Sequence, residues 1–266
     1  MIENKEKTIF SRIILYAALF VFSVATCFLI YGKSALNPFN IRLYYRFGDS
    51  IQHYFGWVSF RNSPWQFPLG LFNGATYPDS VSIIFTDSIP FLAVFFKLLS
   101  PILPADFQYF GLWTLLCFVL NTWIAAHIFE RFTENFFTVF TGALFFVMVP
   151  AMIIRTFTHE ALGGQFLVLF SVEIFLLICF GTSDREIMIR TAILGVLAAS
   201  IHIYFLPICG MIVFGTFLLD TLKNKKVIRG ISLIIIYVAC AALTVFFLGG
   251  FASSLDFSNG GLSYGN

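Results

Sequence analysis

Charge is scarce in this sequence. Only 11% of its 266 residues are Asp, Glu, Lys or Arg, and 59% are hydrophobic. Soluble domains carry about 25% charged residues, so the composition excludes an ordinary soluble domain and points to a polytopic membrane protein. No nucleic-acid partner is expected. Cysteine is sparse too. Cys27, Cys117, Cys179, Cys209 and Cys240 all fall inside apolar runs, and none pairs at C-x-x-C spacing. That excludes a disulfide framework or a cysteine metal site and leaves them as small buried hydrophobes. The soluble-enzyme signatures are missing as well: no G-x-x-x-x-G-K-[ST], no G-x-S-x-G, no H-E-x-x-H and no dinucleotide fingerprint. "HEALGG" offers no second histidine four residues after His159, so no metal ligands are assigned.

What is present is a series of long apolar runs, at about 13–31, 89–103, 107–129, 136–154, 165–181, 190–206, 207–222 and 230–249. The first has about 19 residues, enough to cross roughly 30 Å of hydrocarbon and longer than the core of a cleavable signal peptide. The run at 89–103 is short, carries Lys97 and is closed by prolines. At 1.5 Å per residue it reaches only about 22 Å, so it is expected to be half-inserted. Basic residues support seven spans. With the N-terminus (Lys5, Lys7, Arg12) in the cytoplasm, Arg131, Arg185, Arg190, Lys223, Lys225, Lys226 and Arg229 all fall on inner connections, as the positive-inside rule requires. The fold class is then all-α, one transmembrane module over 1–266 with about seven membrane helices. A long outer loop, 32–106, would hold interfacial helices at about 49–61 and 89–103.

The unusual polar residues converge on the outer side. As a helix, 49–61 puts Asp49, Gln52, His53, Gly56 and Ser59 on one arc and Ile51, Tyr54, Phe55 and Val58 on the other. This predicts an amphipathic helix in the interface, with Trp57 and Trp65 at headgroup depth. Three of the four histidines, His53, His159 and His202, lie at outer ends or loops. His127 does not and is read as a core or interface residue with no special role, and Glu173 as a helix–helix hydrogen bond. Simple structural readings stand beside the functional ones. Asp49-x-x-Gln52 fits a capping box, Asp87 suits an N-cap before the Pro90 turn, Thr158 suits another, and Glu160 would favour a helix N-terminus. Arg42, Arg46, Arg61 and Lys97 are either tolerated in a long loop or bind a phosphate.

The order of these parts resembles the GT-C superfamily of integral-membrane glycosyltransferases. The shared layout is a first span, an outer loop with an early acid (Asp49), a juxtamembrane helix (89–103), two spans joined by a basic turn ("ERFTEN") and a second outer polar motif ("THEALGGQ"). "PWQFPLG" matches a proline-rich bend after the acid, and "FTDSIPFLAVFFKLLSPILP" with "FQYFGLW" is similar to an uncharacterised bacterial branch. The resemblance implies transfer of a sugar from a polyprenyl-phosphate-linked donor to an acceptor outside the bacterial inner membrane, in cell-envelope assembly. In that reading Asp49, His159 and Glu160 are catalytic, and Gln52, His53, Arg61, Asp87, Gln165, His202 and Tyr204 bind substrate. The second motif holds His159-Glu160 in place of a D-x-D, so a divalent metal cofactor has no motif to support it. Members of the superfamily usually have further spans or a soluble C-terminal domain, so the chain is expected to be the N-terminal part of a longer protein. The alternative is non-enzymatic: a transporter or accessory subunit for lipid-linked intermediates.

Overall fold

The computed structural model describes residues 2–45 and 49–252. Arg46 and the terminal "SSLDFSNGGLSYGN" lie outside the described residues. Ten α-helices appear among those described: α1 (Ile2–Leu36), α2 (Asp49–Asn62), α3 (Pro90–Leu98), α4 (Phe110–Phe129), α5 (Phe136–Phe145), α6 (Pro150–Thr158), α7 (Phe166–Cys179), α8 (Asp184–Ile201), α9 (Phe205–Leu222) and α10 (Val227–Phe247). Two short strands, β1 (Leu71–Phe72) and β2 (Val81–Ser82), pair antiparallel with Leu71 opposite Ser82. The protein is all-α in class.

Among the described residues, six helical stretches are long and apolar enough to cross a membrane: Ile9–Leu36, Phe110–Phe129, Phe136–Thr158, Glu160–Cys179, Phe205–Leu222 and Val227–Phe247. Helices suit lipid because they satisfy every backbone donor and acceptor internally. The third stretch joins α5 and α6, whose boundary is a 3₁₀ turn at Phe146–Met148 followed by Pro150. The expected short element at 89–103 is a nine-residue helix, α3, and a 3₁₀ turn at Ser100–Ile102. α8 has 18 residues but falls outside the six, because Asp184, Arg185, Glu186 and Arg190 crowd its first two turns.

The segment 37–109 caps one end of the helical bundle. Gln108 holds the end of α1 there, its backbone N–H and side-chain Nε2 donating to Pro38 O and Asn37 O, both at 2.8 Å. Gly111 lets the start of α4 press against α1; a Cβ there would lie 2.6 Å from Ala35 O. Ser82 Oγ donates to Leu248 O at 2.7 Å, which seats the β-hairpin on the end of α10. The opposite end carries the ionic network. Arg12 forms two bonds to Glu130, at 2.9 and 2.8 Å. Arg229 joins Asp220 of α9 and Asp184 of α8. Glu173 of α7 meets His127 of α4 at 2.5 Å and Arg190 of α8 at 2.8 Å. Glu173 thus links three helices, more than the single helix–helix bond expected, and His127 belongs to that link.

The expected phase of α2 is corrected. His53, Tyr54, Gly56, Trp57 and Phe60 are buried, while Asp49, Gln52 and Phe55 are exposed. Trp57 does not face lipid; it is fully buried in protein and its Nε1–H donates to Phe107 O at 3.0 Å. Tyr54 stacks on Tyr44. The reason is that α2 is covered by protein on several sides: by α3, the hairpin and the 3₁₀ turn before Asp87. An amphipathic pattern assumes one wet or lipid face and one protected face.

Candidate functional site

Four separate segments deliver side chains to one place at the capped end. His53 comes from the second turn of α2. Asp87 follows the 3₁₀ turn Ile83–Thr86 and takes a left-handed conformation (φ 55°). His159 and Glu160 form the joint between α6 and a 3₁₀ turn at Glu160–Gly163, and His202 ends α8. Gly56 makes this convergence possible. A Cβ there would lie 2.4 Å from Ser88 Oγ and Thr86 Cβ, so only glycine lets α2 approach the Asp87 turn so closely.

Three imidazoles line up in edge-to-face contact. His53 and His159 have ring centroids 4.5 Å apart, and His159 and His202 are 4.9 Å apart. Asp87 serves two of them. Its Oδ1 lies 2.9 Å from His202 Nε2 and its Oδ2 3.6 Å from His159 Nε2. The backbone N–H of Tyr204 donates to His202 Nδ1 at 3.1 Å, which puts a neutral ring's proton on Nε2, facing Asp87. Burial pushes the Asp87 carboxyl up, but the His159 and His202 contacts outweigh it and hold the group well below the usual carboxylate range. Asp87 is therefore ionised at neutral pH.

Glu160 is anchored on the other flank. Ser50 Oγ donates to its Oε1 at 2.7 Å, and Trp113 Nε1 donates to its backbone O at 2.7 Å. Its Oε2 lies 2.6 Å from His53 Nδ1. This approach is close but off the hydrogen-bond line, so neither atom counts as satisfied. Among the described residues, eight buried side-chain polar atoms have no hydrogen-bond partner, and five belong to this cluster: His53 Nδ1 and Nε2, His159 Nδ1, Glu160 Oε2 and His202 Nε2. Buried polar groups are ordinarily paired, so the cluster is distinct from the core around it. His53, Asp87 and His159 each offer one donor atom within a 4.8 Å set that could hold a metal ion.

The structure therefore brings together His53, Asp87, His159, Glu160 and His202. Gln52 joins weakly, its Nε2 at 3.4 Å from Asp87 Oδ2; it does not reach back as a capping box would. Tyr204 is exposed and lays its ring against His202 at 4.6 Å. Asp49 opens α2 and is exposed, one helical turn before His53 and on the same flank. Among the described residues no ion pair or hydrogen bond ties Asp49 to the cluster. Gln165 stays outside it; its Nε2 donates to Leu162 O at 2.9 Å.

Several local assignments are corrected. Arg61 is engaged with backbone. Its guanidinium donates to the carbonyls of Leu103 and Pro104 at 2.7 Å, Ala105 at 3.2 Å and Ser100 at 3.4 Å, clamping the turn after α3. Lys97 is buried under the rings of Phe60 and Trp65, 4.0 and 4.6 Å from their centroids. Asp87 is not an N-cap; Ile89 holds that position before α3. Thr158 ends α6 and its Oγ1 bonds back to Ile154 O at 3.0 Å. Ser50, Trp113 and Ser88, whose Oγ donates to His53 O at 2.7 Å, support the site and were not expected from sequence. Trp113 lies in "FQYFGLW" and Ser88 in "FTDSIPFLAVFFKLLSPILP".

Two cavities bear on function. One, of about 770 Å³, lies at the opposite end beside Arg12, His127, Glu130 and Arg131; there Arg12 is paired with Glu130 and His127 with Glu173. The other is an apolar groove of about 510 Å³ along α9 and α10, lined by Ile203, Leu206, Val213, Tyr237, Val245 and Phe251. It starts one residue from His202.

Fold and site together define a polytopic helical membrane protein with a buried histidine–carboxylate cluster at one end of its bundle. The chain belongs to the family described as Domain of unknown function (DUF6311), whose model matches residues 20–266. No curated protein and no solved structure matches it.

Proposed function

We propose that the protein is a membrane glycosyltransferase of GT-C type. It moves a sugar from a polyprenyl-phosphate donor to an acceptor hydroxyl at the outer face of the bacterial inner membrane. The observation that carries this reading is the convergence of two acids and three histidines from four segments, beside an apolar groove that begins at Ile203. A lipid-linked sugar needs such a pairing: a channel for its isoprenoid tail and a polar pocket for its headgroup at the same depth.

In this reading α8 is a seventh span. Its charges sit in its first two turns, and Thr191–Ile201 continues without a charged residue. Gly195 lets it pack closely on α10, where a Cβ would lie 2.7 Å from Tyr237 O. The end holding Arg12, Arg190 and Arg229 faces the cytoplasm, in keeping with the positive-inside rule.

The acceptor oxygen attacks the anomeric carbon, and the bond from that carbon to the phosphate oxygen breaks. The bonding pair leaves with the phosphate, and the acceptor proton passes to a carboxylate. Asp49, exposed at the lip of α2, takes that proton as general base. Asp87 is held too strongly ionised to be an efficient base and instead orients sugar hydroxyls. His159 stabilises charge developing on the leaving phosphate, the role first expected of Arg61, while the Nε2–H of His202 holds Asp87. Glu160 fixes His53 on the opposite wall.

The test is transfer by purified protein supplied with polyprenyl-phosphate sugars and envelope glycans as acceptors. Asp49→Asn and His159→Ala are expected to lower the rate by about 10²-fold or more. Wild-type rates in both variants would overturn the assignment.

A further inference from the structure

We propose that His53, Asp87 and His159 bind a divalent transition-metal ion of the zinc type. The inference deepens the transferase reading at the same residues but rests on their geometry. Each residue contributes one donor atom to a set lying within 4.8 Å. His159 Nε2 and Asp87 Oδ2 are 3.6 Å apart. Two ligand atoms each about 2.1 Å from one ion, at that separation, subtend about 118°, close to a tetrahedral angle.

The surroundings supply what metal-binding imidazoles need. A ligating histidine ordinarily gives its other ring N–H to a carboxylate, which fixes the tautomer and raises basicity. The charge of Glu160 Oε2, 2.6 Å from His53 Nδ1 though off the hydrogen-bond line, favours a proton on that nitrogen and leaves Nε2, buried and otherwise unpartnered, with its lone pair for the ion. Glu160 is itself held by Ser50 and Trp113. On the other side His202 faces the second oxygen of Asp87 at 2.9 Å, and Tyr204 N–H fixes the His202 ring. Each first ligand except His159 thus has an outer partner from a different segment.

The donor set indicates the metal class. Two imidazoles and one carboxylate suit zinc and its first-row neighbours; magnesium and calcium prefer all-oxygen shells. Three protein ligands leave a fourth position for a substrate oxygen or water, the mark of a site that meets substrate. Asp87 is the partly exposed member of the set, its side chain 23% accessible, so the open position lies on the side of the site that substrate or water can reach. No sequence spacing announces this site, because each ligand comes from a separate segment.

The test uses the full chain purified in detergent, stripped with a chelator and titrated with Zn²⁺ or Co²⁺. About one equivalent should bind per chain, and the Co²⁺ form should show the visible bands of a four- or five-coordinate ion. X-ray absorption of the zinc form should show two imidazoles at about 2.0–2.1 Å. His53→Gln, Asp87→Asn and His159→Gln should each weaken binding by at least 10-fold, and Asp49→Asn should leave it unchanged. Zinc should raise the unfolding temperature of the wild type but not of the ligand variants. Failure of wild-type protein to hold zinc at micromolar concentrations, or a shell without two imidazoles, overturns the site. Metal retention without sugar transfer would sink only the transferase reading; sugar transfer by wild-type protein that holds no zinc would sink only the metal site.

Discussion

Replacing Arg229 with methionine should destabilise the bundle by roughly 3–5 kcal/mol, the usual cost of stranding one half of a buried ion pair. Arg229 starts α10 and is 7% exposed. Its Nε donates to Asp220 Oδ2 at 2.7 Å, a second bond reaches Asp220 Oδ1, and its Nη1 donates to Asp184 Oδ1 at 2.6 Å. The two carboxylates differ in what they stand to lose. Asp184 is 53% exposed, so water replaces its partner and its share is about 1 kcal/mol or less. Asp220 is fully buried and would keep only the Asn224 side-chain amide at 2.9 Å and its protein surroundings. Most of the cost is therefore the desolvated Asp220 charge. Removing that charge as well should recover most of the loss, because an ion pair replaced by apolar side chains of similar size is often neutral or better. The measurement is thermal unfolding in detergent, followed by tryptophan fluorescence, for Arg229→Met, Asp220→Leu, Asp184→Asn and the Arg229→Met/Asp220→Leu double variant. At about 2–4 °C per kcal/mol for a chain of this size class, Arg229→Met should fall by on the order of 10 °C and Asp184→Asn by only a few degrees. The double variant should lie closer to wild type than either core single variant. A double variant no better than Arg229→Met would refute the stranded-charge account.

Arg61→Met should remove the donors that hold the carbonyls of Ser100, Leu103, Pro104 and Ala105, costing about 2–4 kcal/mol at the level of one or two charged hydrogen bonds. Limited proteolysis should then cut within 99–106, while donor affinity should not change; a lost affinity with an intact turn would return Arg61 to the substrate. Lys97 should give the protein an alkaline stability gain. Burial lowers its pKa from 10.5 to about 8, so between those values the unfolded chain binds more protons and stability rises with pH. Lys97→Met should flatten that rise in unfolding temperature between about pH 8 and 10.5, and an unchanged slope would show that the Phe60 and Trp65 rings fully compensate the burial.

The helical class and most of the span boundaries were legible because they depend on local sequence. An apolar run in lipid has helix as its simplest way to satisfy its backbone, and Pro90, Pro104 and Pro150 punctuate the chain wherever they fall. α3 was readable as too short to cross because length alone decides it. His53, His159, Glu160, Asp87 and His202 were legible as unusual residues, since ionisable groups are costly near a membrane and need a reason. Their partners were not. The hold of Arg61 on the turn after α3 and the left-handed backbone of Asp87, which rules out its N-cap reading, were not legible, because a long side chain's target and a residue's backbone conformation depend on what the fold places beside them. α2 was misphased because protein covers it on more than one face, so no single arc of its sequence marks the buried side.

The sequence by itself determined a helical membrane protein, its apolar stretches and the confinement of unusual polar chemistry to a few segments. Each of these follows from interactions within one helix or between one helix and its solvent. The tertiary structure alone decided that Glu160 meets His53, that Asp87 stands between His159 and His202, and that Trp113 and Ser50 hold the acid in place. Those contacts join residues 47 to 115 positions apart. Nothing in local periodicity encodes such a meeting; it is set by close approaches such as Gly56 against the Asp87 turn and Gly111 against α1, where the absence of a side chain lets one segment reach another.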